Sequence, residues 1–128
     1  MLQHIAHTLH DRAVRHRLYG AAAGIEAAVI FALSVGPGME GGVNSGPAAH
    51  GLAYGLLSFT LGLYCRGTGN NHPLLTGALG AAGFGALIEI IQFFIPYRTC
   101  EAQDAVINLC SALFAMIPGL MLHRKGRR

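Results

Sequence analysis

Four apolar segments, at about 18–35, 48–65, 74–95 and 105–122, occupy most of the chain and limit what it can become. An α-helix needs ~20 mainly apolar residues to cross the ~30 Å hydrocarbon core of a bilayer, with ~17 as the lower limit. All four segments meet that limit, the first two narrowly. Strands are disfavoured, because nothing alternates with period two and Ala and Leu outnumber β-branched residues. Of the 128 residues only 12% are charged, while 52% are hydrophobic. A soluble domain carries about a quarter charged residues, and a water-facing surface this poor in charge would expose large apolar patches. The expected fold is therefore all-α, an integral membrane four-helix bundle occupying 18–123, with lipid as its solvent.

The formal charge of +3 is gathered at the two ends, in Arg12, Arg15 and Arg17 and in Arg124, Lys125, Arg127 and Arg128. No aromatic residues interleave with these charges, so nucleic acid is not an expected partner. The positive-inside rule instead makes both termini cytoplasmic in a multi-pass cytoplasmic-membrane protein. The loop at 36–47, GPGMEGGVNSGP, then lies outside with no Lys or Arg, and the loop at 66–73 lies inside with Arg66. Arg98, in the outer loop between the third and fourth spans, is the exception.

Residues 1–17 place Leu2, Ile5, Leu9 and Ala13 on one stripe, which predicts an amphipathic helix lying on the cytoplasmic membrane surface. Residues 124–128 form a basic cytoplasmic tail. Ala32-Leu33-Ser34 resembles a signal-peptide cleavage site, but the preceding apolar run exceeds the usual ~7–15 residues and contains Glu26, so the first span is read as retained. Three cysteines without a C-x-x-C give no disulfide framework or zinc site; Cys65 and Cys110 read as small hydrophobes, and Cys100 falls in a polar loop. His4, His7 and His10 recur every third residue but have no Cys or carboxylate to complete a metal shell. No cofactor is expected.

Each span carries small residues four apart: Gly20 and Gly24; Gly51 and Gly55; Gly77, Ala81 and Gly85; Ser111, Ala115 and Gly119. In lipid such positions let backbones approach and gain van der Waals contact. They favour one compact bundle and equally permit a homodimer. Pro118 should kink the fourth span.

The polar residues then fall at one depth. His50 and Tyr54 sit one turn apart at the start of the second span, Glu89 and Gln92 share a face near the end of the third, and Asp104 and Asn108 share a face at the start of the fourth. Arg98 lies in the loop between them. An acidic residue at a helix centre costs roughly 2.5–3.5 kcal/mol on insertion scales, less toward the interface, so Glu89 should face inward and find a partner. One reading is a pocket for a polar or anionic group, with Glu89 and His50 as an acid/base pair and Arg98 as the anion clamp. Asp104, Asn108, Gln92 and Tyr54 would bind and orient. The other is that the same groups only lock helix ends together. A divalent-ion site on His50, Glu89 and Asp104 is a lesser alternative and no metal is assigned. Glu26 lies deeper and stands apart, and a transport path would need it to connect with the outer cluster.

The pieces His50-Gly-Leu-Ala-Tyr54, Glu89-Ile-Ile-Gln92 followed by Pro96-Tyr-Arg98, and Asp104-Ala-Val-Ile-Asn108 resemble, in order and spacing, the VanZ-like family of small bacterial membrane proteins. The resemblance runs from about His50 to Leu122, and the first span matches only in kind. Two positions depart from it: Gly46-Pro47-Ala48-Ala49 replaces the charged Asp-Lys often found before the histidine, and Ser111-Ala112 replaces a Gly-Ala pair. The resemblance implies a four-helix integral membrane protein. The family is named for a member linked to teicoplanin resistance, a role not carried over to this chain. The function expected is binding or processing of an envelope lipid or lipid-linked glycan; the alternative is a non-enzymatic membrane adaptor or surface-altering protein.

Overall fold

The computed structural model describes residues 2–36, 47–96 and 102–117, with the side chains of 2–10, 47, 102 and 104 outside the description. The described residues form four helices and no strand: α1 (Leu2–Val35), α2 (Pro47–Gly67), α3 (Pro73–Phe93) and α4 (Ala102–Phe114). Two stretches, Asp11–Val35 within α1 and the whole of α3, are long and apolar enough to cross a membrane.

The helices start and stop where backbone chemistry dictates. α2 ends as Thr68 N–H bonds Cys65 O and Gly69 takes a left-handed φ of 76°, which glycine adopts without a Cβ penalty. Asn70 Oδ1 then accepts from His72 N–H at 2.8 Å, and Pro73 opens α3 with a pre-set φ. At the far end of α3 the backbone tightens, with Phe94 N–H to Ile91 O and Ile95 N–H to Gln92 O, before Pro96.

α1 departs from the expected division at residue 17. It runs unbroken for 34 residues, about 50 Å, through Arg17, Leu18 and Tyr19. The predicted surface stripe of Leu2, Ile5 and Leu9, like His4, His7 and His10, belongs to side chains outside the description. The expected remainder of the fourth span with its Pro118 kink, the basic tail and Cys100 also lie outside the described residues.

α2 is the centre of the assembly. It packs on all three other helices, most extensively on α3, whereas α1 and α4 make no contact with each other among the described residues. The chain runs up and down: His16 and Gly20, about halfway along α1, meet Gly67 and Tyr64 near the end of α2, and Gly62 meets Leu74 at the start of α3. One end of the bundle therefore gathers Arg12, Arg15, Arg17 and Arg66 and is called the basic end. The other gathers His50, Glu89 and Asn108 and is called the polar end.

Small residues set the spacing. A Cβ on Gly77 would strike the backbone N of Gly62 and come within 2.7 Å of Ser58 O and 2.8 Å of Gly62 Cα, so α2 and α3 touch backbone to backbone. Ser58 Oγ donates to Ala112 O at 2.8 Å and ties α2 to α4. The core is correspondingly slight, built on Ala23, Leu57, Ala78, Ala81 and Ala112. Among the described residues nineteen large apolar side chains are exposed on the outside, with Leu52, Phe93 and Phe94 each more than 70% accessible.

Candidate functional site

The site begins with two aromatic rings on α2. His50 and Tyr54 lie one turn apart with ring centroids 6.3 Å apart and planes within 7°, His50 half-buried and Tyr54 fully buried. The apolar faces of these rings can be covered while their polar tips stay near the helix end.

Tyr54 meets bare backbone on α3. A Cβ at Gly85 would lie 3.0 Å from Tyr54 Cε1, 3.2 Å from Asn108 Nδ2 and 3.3 Å from Asn108 Cβ. One glycine thus lets side chains from α2 and α4 meet on the same spot of α3. Glu89 follows Gly85 by one turn on the same face and is 7% exposed. Tyr54 and Asn108 thus meet at Gly85, one turn from Glu89, near the polar end, with His50 nearer the start of α2.

Asn108 is 1% exposed, and among the described residues neither its Nδ2 nor its Oδ1 has a hydrogen-bond partner. Leaving a buried amide unbonded costs roughly 1–3 kcal/mol by mutational measures. Native structures rarely tolerate that without a reason.

Gln92 behaves differently from its expected role. It is buried, but its Nε2 donates to Ser34 O at 2.9 Å. Ser34 is the last residue but one of α1, where carbonyls have no intrahelical partner. Gln92 therefore caps the end of α1 from another helix. Arg98 and the Asp104 side chain lie outside the described residues, so the anion clamp and the His50–Glu89–Asp104 ion site are not placed.

Two features escaped the sequence. Gly85 reads in the sequence as one more packing residue, although its place one turn before Glu89 could have linked it to the cluster. Glu26, half-buried in α1, accepts a hydrogen bond at Oε1 from Thr60 Oγ1 of α2 at 3.1 Å, while its Oε2 is buried without one. It sits eight residues before Ser34, about 12 Å deeper in the bundle.

Comparison with models of protein families, with curated proteins and with solved structures finds no match for this chain.

Proposed function

We propose that this chain is a four-helix integral membrane protein of the bacterial cell envelope, with both termini cytoplasmic, whose polar end opens to the outer leaflet and binds or processes an envelope lipid or lipid-linked glycan. The observation that carries the reading is an inverted distribution of polarity. Leucine and phenylalanine cover the outside while Tyr54, Ser58, Glu89, Gln92 and Asn108 are buried. Water would penalise such a surface and lipid would favour it.

In this reading Glu89 gives or takes a proton, His50 at the mouth shares it, and Arg98 holds an anionic group of the ligand. Asn108, without a hydrogen bond among the described residues, and Tyr54 bind polar groups; Gln92 acts by positioning, since it anchors α1 at the polar end. The VanZ-like resemblance rests on the same residues and supports the membrane part of the proposal. The test uses inserted, folded protein and mass spectrometry of copurifying lipids. Glu89→Gln and Arg98→Ala are expected to lose a lipid that the wild type retains. If both variants keep the same lipid complement and the cellular phenotype is unchanged, the binding role is wrong.

A second reading has its own observation. Gln92 and Ser58 spend their hydrogen bonds on carbonyls of neighbouring helices, which is what a purely structural network would do. The protein would then be an adaptor or surface-altering component, as a monomer or a homodimer. That reading predicts that Glu89→Gln unfolds the bundle while leaving no ligand to account for.

A further inference from the structure

We propose a second lipid site at the basic end: the cleft between α1 and α3, floored by α2, seats an acyl chain of an anionic phospholipid whose phosphate is held by Arg17. The inference rests on the membrane reading and is independent of the polar end.

The cleft follows from how the helices diverge. α1 and α3 both lean on α2, but they contact each other sparsely, and Gln92 joins them only at the polar end. Below that point a cleft of about 440 Å³ opens, with Leu57 and Leu61 as its floor, Phe84 on one wall and Gly20, Gly24 and Ala27 on the other. Larger residues on α1 would fill it. Instead a Cβ on Gly24 would meet nothing within 4 Å. An apolar cleft left unfilled forfeits dispersion contacts along its whole lining. In a bilayer the molecule at hand to fill it is a hydrocarbon chain.

The basic end supplies the headgroup partner. His16 stacks on Tyr64 with ring centroids 4.4 Å apart, and the Tyr64 ring lies against Gly20 at the basic end of the cleft. Arg17 is exposed and lies three residues before Gly20 and seven before Gly24, on the same face of α1. It therefore stands just beyond that end of the cleft, at about the depth of a headgroup. A guanidinium suits a phosphate because its fork can donate two hydrogen bonds to it. Asp11, the one carboxylate among residues 1–25, lies on the opposite face of α1. Arg12 and Arg15 add positive charge to the same stretch, which favours an anionic lipid over a zwitterionic one.

The experiment reconstitutes the full chain into vesicles of phosphatidylglycerol and phosphatidylcholine and reads retained lipid by native mass spectrometry after mild extraction. Insertion is checked by resistance to carbonate wash. Wild-type protein is expected to retain phosphatidylglycerol preferentially. Gly24→Leu fills the cleft without a clash and should abolish retention, whereas Gly83→Leu, also open but outside the cleft, should change nothing. Arg17→Ala should keep a lipid but lower the preference for phosphatidylglycerol roughly fivefold. Equal retention by wild type and Gly24→Leu in inserted protein overturns this site alone, as does an unchanged preference in Arg17→Ala. Protein that washes off the vesicles overturns both this site and the membrane reading.

Discussion

Near the basic end, α2 meets α3 through Gly62 and Gly77, with nothing between the two backbones. Near the polar end the same helices are separated by a Tyr54 ring and an Asn108 amide, both resting on Gly85. Glycine permits both arrangements, but for different ends. In the first it removes side chains so that helices can touch; in the second it clears space for polar side chains that have no business in a hydrocarbon-like core. The first contact is stability alone, and the second is stability given up to hold particular groups in place.

Three substitutions probe that contrast. Gly77→Ala should do the most damage, because the added methyl meets backbone atoms of Gly62 and Ser58 that cannot rotate away; about 3 kcal/mol or more of stability should be lost. Thermal or denaturant unfolding in detergent would read this. Near-wild-type stability would mean that the basic end is not held by backbone contact. Gln92→Leu should cost about 1 kcal/mol, the range of one interhelical hydrogen bond. It should also loosen the end of α1, visible as faster amide exchange at residues 33–36, and unchanged exchange there would remove Gln92 from its capping role. Asn108→Leu should cost least, within about 1 kcal/mol of zero in either direction, since the amide gives up no hydrogen bond within the chain. Its ligand retention should nevertheless fall. A large loss of stability would place Asn108 with Gly77 as a structural residue, and the contrast between the two ends would collapse.

The placement of helices was legible because proline and glycine punctuate the chain: Pro47 and Pro73 open α2 and α3, and Pro96 follows α3. The approach of Tyr54 and Asn108 at Gly85, one turn from Glu89, was legible in part, because one-turn spacing fixes a shared face and the loops fix the ends. Spacing gives a face but no target. Nothing in the sequence could show that Gln92 reaches a carbonyl 58 residues away, or that Thr60 answers Glu26. The division at residue 17 was drawn from a change of composition, and composition can change along a helix without breaking it. No proline stands at that point, so α1 continues.

That α1 and α4 make no contact among the described residues matters for how the protein is made. On the membrane reading α1 leaves the ribosome before any helix it will pack against exists, and it must stay in the bilayer unaided. The stretch Asp11–Val35 contains a window apolar enough for that. α4 enters differently, because α2 and α3 precede it in the chain. It arrives after α2 and α3 have paired, with the Ser58 hydroxyl ready to take its backbone. On that reading the packing partners of α4 are in the bilayer when it enters, whereas α2 and α3 are still to come when α1 does.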